Sequence, residues 1–463
     1  MLDSMNTGYK FDLRYKLWCF LLLALSACKK DGPEPDYPAG SNRYINDWIL
    51  DSMQVYYYWN NSLPKNPDLD KAPLDFFAAL KNSQDRFSRI YNASVPESYY
   101  PSPVQNFGFE LILFEKAGGD VQATVALVVP GSGAQNAGLQ RGQTIHRING
   151  TLPTESNIQN LIRTSVAQRN IALDIEGEGT VTIPAVSISE NSVYLYKVFN
   201  DMPKPTAYLF YNSFDGRYKQ NLQQAFSAFK QAGATELIID LRYNAGGDVG
   251  VCAALAAALS EVNDTDTFLE YRGNSRAGIR KETFGKTISK TYSGTPFSFG
   301  ELQNMRLSLN RVFILTGGHT ASAAEFLVKA LRPWTEVIQI GETTLGKDMA
   351  SFSIRDNNTG KNNPWSIEPL VFKLYNANSE GDYPSGLVPD VTRNELSEAL
   401  VPLGDPNDPL IREALTMINE KTNRANRMIT GSEQPRILYD SREAADRNSN
   451  FIVAPENSHN KKQ

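Results

Sequence analysis

Two turns whose serine and lysine lie 25 residues apart set the chemical question for this chain. The first, TGGHTASAAE (316–325), follows the apolar run RVFILT and leads into a helical pattern, which puts Ser322 at or near a helix N-terminus. Backbone amides and the helix dipole favour developing negative charge there, the setting that a serine nucleophile needs. The same spacing has a purely structural use, because Ser322 and Glu325 make S-x-x-E, a capping box that requires no catalysis. The second turn, GETTLGKDMASF, begins at Gly341 after the apolar run VIQI and carries Lys347 between glycine and acid. A lysine is a general base only when neutral, a state that burial or nearby positive charge favours. Ser–Lys pairs are one known nucleophile–base arrangement. A third segment, DLRYNAGG (240–247), ends in Gly246 and Gly247, which let backbone amides approach a ligand at the start of the next helix.

Stepping outwards, these turns need a scaffold of buried strands followed by helices. From about 207 the chain supplies one: AYLFYNSF is a strand, 217–231 a helix, ELIIDL a strand and 249–259 an Ala-rich helix. RVFILT, 321–331 and VIQI continue as strand, helix, strand. That alternation of near-continuous apolar runs with helices predicts an α/β domain over 191–400, with its site in loops at strand ends. Ahead of it, 104–190 is β-rich: FGFELILF and ATVALVV are β-prone, and SGAQNAGLQRGQTIHRING reads as a short helix (134–137), a turn at Gly138, a strand (144–148) and an Asn149-Gly150 turn. This string resembles the signature of PDZ domains, although Gln143 stands where that signature usually has Asp. The resemblance implies strand-addition binding of peptide tails, with a loop at Gly108 and Phe109 for the terminal carboxylate. Residues 41–100 form a small helical region: Ile45, Trp48, Ile49, Met53 and Tyr56 recur at helical spacing, and Pro73 opens a second helix. The aromatic stripe from Tyr56 to Trp59 is expected in the core.

Length and composition agree with a multidomain globular protein. The 463 residues suit about three domains of ~150 each. A 46 to 51 balance of basic over acidic residues, net −5 and without a basic block, argues against nucleic acid as a partner. Three Cys and three scattered His build neither a disulfide framework nor an obvious metal site, so no cofactor or metal is expected. Residues 1–28 carry Lys10, Arg14 and Lys16, a 9-residue apolar run and LSAC, the pattern of a secretory signal. Ser26 and Ala27 before Cys28 resemble the lipobox of bacterial lipoproteins. That resemblance implies cleavage before Cys28, acylation there, and a lipid-anchored protein of the cell envelope, with the outer membrane favoured by lysines after the Cys. Residues 29–40 read as a tether. In 401–463, a helix from Asp408 precedes a polar tail expected to fray after Asn423.

Taken together, the three turns resemble the C-terminal processing peptidases, or tail-specific proteases, in motif, order and spacing over roughly 41–415. TASAAE is similar to that family's nucleophile segment, implying Ser322 as nucleophile. GETTLGK is similar to its GxxTxGK segment, implying Lys347 as base. DLRYNAGG implies an oxyanion-hole amide at Gly246, beside that of Ala323, and SGLVPDV (385–391) matches a further landmark. The implied fold is a ClpP/crotonase-like α/β core with an inserted PDZ-like domain. The implied activity is serine endopeptidase action on proteins with exposed C-termini. Ser351 replaces the Gln that often follows the lysine by four residues, leaving open whether it supports the dyad. Pro333 replaces an Asp found eleven residues after the nucleophile in some members. The family does not use a histidine at the position of His319. The competing reading is a non-catalytic tail binder in which Ser322 merely caps a helix.

Overall fold

A computed structural model describes residues 37–419 and 435–443, apart from 99–101, 117, 308, 359 and 361. The expected signal segment, Cys28, most of the tether and the end of the tail lie outside the described residues.

The N-terminal region begins with α1 (Asn42–Tyr56), capped by the Ser41 side chain, and α2 (Pro73–Leu80), which opens on proline as expected. Ile45, Ile49 and Met53 share one face of α1 and bury against Phe76, Phe77 and Leu80. Of the aromatic stripe, Tyr57 alone is fully buried, and its hydroxyl donates to Asp85 Oδ2 at 2.7 Å. A short strand, β1 (Arg89–Tyr91), follows.

Next comes the β-rich module. Its parts are α3 (Pro103–Phe107), β2 (Phe109–Glu115), β3 (Val121–Val128), α4 (Gly133–Asn136), β4 (Thr144–Ile148), α5 (Ile158–Gln168), β5 (Asn170–Ile175) and β6 (Gly179–Pro184). Neighbouring strands from β2 to β6 pair antiparallel in chain order. Asn149 and Gly150 both have positive φ, +50° and +76°, as a tight primed turn demands.

The core alternates as expected: β7 (Val193–Phe199), β8 (Thr206–Tyr211), α6 (Lys219–Gln231), β9 (Glu236–Asp240) and α7 (Val249–Ala258) come first. A hairpin of β10 (Thr267–Arg272) and β11 (Ile279–Thr283) with helices α8 (Phe284–Ile288) and α9 (Phe299–Met305) intervenes. Then follow β12 (Arg311–Thr316), α10 (Ala323–Leu331), β13 (Glu336–Gly341), β14 (Met349–Ser351), β15 (Ile354–Arg355), β16 (Ser366–Glu368), β17 (Leu370–Asn376), β18 (Val391–Thr392) and α11 (Pro409–Asn419). The main sheet has the order β18-β13-β12-β9-β8-β7 and is parallel except at β7. Its central strands bury both faces. Leu209, Leu237 and Ile314 meet α6, α7 and α10, whereas Phe210, Ile238 and Phe313 meet α11. Every residue of α7 is buried, Cys252 included. A second, antiparallel sheet, β11-β10-β17-β14, has no counterpart in the sequence reading.

One expectation is overturned. Part of the polar tail does not fray: β19 (Arg436–Asp440) pairs antiparallel with β2 and makes the β-rich sheet six-stranded. Its apolar run, Ile437 to Tyr439, is only three residues long, and its partner lies over 300 residues away, so no local signal marks it.

Candidate active site

Ser322 is the residue before α10, with φ +59° and ψ −117°. No helix continues through that conformation, which explains why α10 starts at Ala323 rather than 321. Positive φ costs a residue with a Cβ of order 1–3 kcal/mol, and such strain persists only where its surroundings enforce it. Here the enforcing group is Glu325. The Ser322 N–H donates to Glu325 Oε2 at 2.8 Å, yet Ser322 Oγ is buried with no hydrogen-bond partner. The capping-box arrangement is therefore present, with its carboxylate half hydrogen-bonded and the serine oxygen facing the Glu325 N–H without a closed hydrogen bond.

Glu325 does more than cap. Its Oε2 also accepts the Lys347 N–H at 2.8 Å, and its Oε1 accepts the Gly346 N–H at 2.7 Å and the Thr344 hydroxyl at 2.5 Å. One fully buried carboxyl thus ties the serine turn to the lysine turn. Burial raises it to about 7, although all four donors pull the other way. Local spacing marks Glu325 only as a helix cap, because nothing nearby announces partners 19 to 22 residues on.

Lys347 is 3 % exposed, and its ammonium lies 5.8 Å from the centre of the Phe87 ring. Since Ser322 Oγ makes no hydrogen bond, the Ser322–Lys347 contact is not closed in this structure. The N-terminal region takes part here beyond Phe87: Arg86 donates to the carbonyls of Pro384 and Leu345, bracing the lysine turn. Ser351 is buried on β14, in register with Leu370 of β17.

Gly246, with φ +107°, packs directly on the serine turn. A Cβ there would lie 2.8 Å from Ser322 Cβ and 3.0 Å from the Ala323 nitrogen, distances only glycine allows. Its amide is already engaged in this structure, however. The Gly246 N–H already donates to Asn244 Oδ1 at 2.8 Å, and Asn244 is itself fixed by donating to the Tyr211 carbonyl. The Ala323 N–H, at the first position of α10, points the helix N-terminus into the same corner. His319 is turned elsewhere, with Nε2 2.9 Å from Asp440 Oδ2.

The β-rich module is locked to this corner by buried charge. Arg141 reaches Glu395 Oε2 at 2.9 Å and the Tyr243 hydroxyl at 3.1 Å, and Arg242 binds Asp240 and Asp408. Burial opposes ionisation of Glu395, but Arg442, Arg141 and Arg242 prevail and hold it near 2. The Gly108 loop also departs from expectation. Its N–H is spent on the Pro103 and Val104 carbonyls, closing α3, and Phe109 is fully buried in the module core. The Gly108 amide is thus not presented to a carboxylate. Between module and core runs a groove of about 920 Å³, lined by Asn106, Arg169 and Ile188 on one side and Ser213, Tyr243, Gly246 and Gly247 on the other. Among the described residues, no three His, Cys, Asp or Glu stand together as metal ligands would.

Comparison with known proteins finds matches to the N-terminal region and to the core. The family described as Peptidase family S41 matches residues 205–393, and the Peptidase S41 N-terminal domain matches 44–89. Carboxy-terminal processing protease CtpA of Bacillus subtilis is 23% identical over 315 residues, covering 65% of this chain and 61% of that protein. A carboxyl-terminal-processing protease of Picosynechococcus is 23% identical over 231 residues, covering 49% and 50%. The chain therefore spans about half to three fifths of the length of these curated relatives. A crystal structure assigned to an S41 protease of Bacteroides fragilis superposes with a TM-score of 0.66 at 25% identity, covering 85% of this chain and all of that one.

Proposed function

We propose, from the premise that this chain belongs to peptidase family S41, that it is a serine endopeptidase acting through Ser322 and Lys347 on the tails of protein substrates. The observation that carries the reading is the Glu325 carboxylate, which accepts backbone N–H groups from both residues and so holds nucleophile and base in one frame.

In the reaction, a substrate strand lies along the groove and neutral Lys347 moves its Nζ from the Phe87 ring to Ser322 Oγ. Lys347 takes the hydroxyl proton as Oγ attacks the scissile carbonyl. The oxyanion is received by the Ala323 N–H, where the α10 dipole favours it, and by the Gly246 N–H once Asn244 Oδ1 releases it. Lys347 returns the proton to the leaving amine. It then deprotonates the water that cleaves the acyl-enzyme, which restores Ser322. Closure of the Ser322–Lys347 contact on substrate binding agrees with apo sites, where such bonds are often open. Ser351 is assigned to orienting Lys347.

The β-rich module is assigned to tail capture in the PDZ manner, by strand addition to its β2 edge. Cys28 is assigned as the acylated anchor of an envelope lipoprotein, as its lipobox-like context supports. The open Ser322–Lys347 contact favours one second reading, a tail-binding pseudoprotease. Degradation of an unfolded, tailed protein by wild type, Ser322→Ala and Lys347→Ala separates the two. Loss of cleavage in both folded variants supports the peptidase. Binding without cleavage by wild type gives the pseudoprotease, and full activity in either variant removes the dyad.

A further inference from the structure

We infer that residues 436–442 are an internal ligand of the β2 edge, a segment of the chain's own C-terminal part that competes with substrate tails for the strand-addition site. The inference rests on the tail-capture reading above and adds what regulates it.

Three observations carry it. First, β2 is the outer strand of the β-rich sheet but for β19, so an added peptide and β19 would need the same row of backbone groups. Second, β19 lies there as a strand-addition ligand would. It runs antiparallel, from Arg436 opposite Glu115 to Asp440 opposite Ile112, advancing towards the Phe109 end of β2. Past the strand, the Ser441 N–H donates to the Leu111 carbonyl at 3.0 Å, and the Leu111 N–H donates to Ser441 Oγ at 2.9 Å. The Ser441 hydroxyl donates to the buried Glu110 carboxyl. Leu438 and Tyr439 both pack against the module core while Ile437 is 43% exposed, the register shifting between Ile437 and Tyr439.

Third, the same segment grips the catalytic corner. Asp440 binds His319, three residues before Ser322, and Arg442 binds Glu395 and stacks 4.2 Å from the centre of the Tyr243 ring. Tyr243 belongs to the DLRYNAGG turn that carries Gly246. A tail that displaces the segment from β2 therefore also releases contacts to two of the three site turns. Tail arrival and rearrangement of the site are mechanically joined.

The test uses the full chain carrying Ser322→Ala, so that no probe is cut, and a fluorescein-labelled heptapeptide of the sequence 436–442 with a free carboxylate, read by anisotropy. Ser441→Pro removes the N–H and the hydroxyl that fasten the segment. It is expected to tighten apparent Kd about tenfold, the factor gained when a site nine-tenths occupied by its own segment is freed. Ile437→Cys with Phe114→Cys, register partners across the two strands, locks the segment on oxidation. That locked form is expected to lose binding and regain it with dithiothreitol. Equal Kd in the parent, Ser441→Pro and oxidised double-cysteine proteins would overturn the inference. Where circular dichroism shows Ser441→Pro unfolded, the oxidised against reduced comparison decides alone. Because the readout is binding, binding controlled by residues 436–442 in a chain whose wild type cleaves nothing would sink the peptidase reading and leave this one standing.

Discussion

Glu325→Gln is the sharpest probe of the site. The carboxyl holds four donors, and an amide of the same shape can keep only some of them. Thr344 Oγ1 is the one partner that can also accept, so the amide NH₂ settles facing it while the amide oxygen keeps the Ser322 and Lys347 N–H groups. Gly346 N–H is then orphaned in a buried site, which costs about 1–3 kcal/mol. For a domain of this size that lowers Tm by roughly 2–10 °C. Glu325→Ala orphans three N–H groups as well as leaving a cavity, and should cost at least about twice as much. Turnover should follow a different order: kcat falls modestly in Gln, which keeps both tethers, and ~10²-fold or more in Ala, which frees the serine and lysine turns to shift by an ångström. KM should move little in either. The pH dependence has a defined sign. Burial raises Glu325 from an ordinary 4.5 to about 7, so the folded state binds the extra proton between those values. Its contribution to stability is full below about 4.5 and is lost as pH rises through 7, by about 3 kcal/mol. Gln does not titrate, so its deficit against wild type should widen as pH is lowered from 7 to 4.5. Thermal melts across that range together with steady-state cleavage of a tailed substrate make the measurement. Melts and kcat for both variants equal to wild type would refute the tethering argument.

Three further outcomes are expected. Ser322→Ala should abolish cleavage yet raise stability by about 1 kcal/mol, because it removes a buried hydroxyl that has no partner; a melt clearly below wild type would mean the hydroxyl caps α10 after all. Gly246→Ala should lose most turnover and some stability, since its Cβ falls 2.8 Å from Ser322 Cβ at φ +107°; an active, fully stable variant would show that the two turns do not pack as described. Glu395, held near 2 by Arg442, Arg141 and Arg242, contributes stability that is present above about pH 4.5 and lost as pH falls through 2, about 3 kcal/mol in all; Glu395→Gln should flatten that part of the acid-unfolding curve.

Much of this molecule is legible from local pattern. The strands and helices around Ser322, Lys347 and Gly246 announce themselves, because buried parallel strands are apolar runs and helices between them carry 3.6-residue periodicity. Glycine pairs and the S-x-x-E spacing mark the turns for the same local reason. What stayed hidden depends on partners remote in sequence. Whether Ser322 Oγ caps a helix or stands uncommitted is decided by where Glu325 points, and that depends on a lysine turn 22 residues away. The Gly246 amide looked available until Asn244 folded back onto it. The tail after Asn423 read as polar and frayed, because five residues of β19 bury nothing until β2, over 300 residues earlier, offers an unpaired edge. Which residue types fall in which elements is legible along the chain, since propensity and periodicity are local properties. Which donors each acceptor receives is fixed in three dimensions, because a hydrogen bond is satisfied by proximity in space, and proximity across hundreds of residues is set by the packed core.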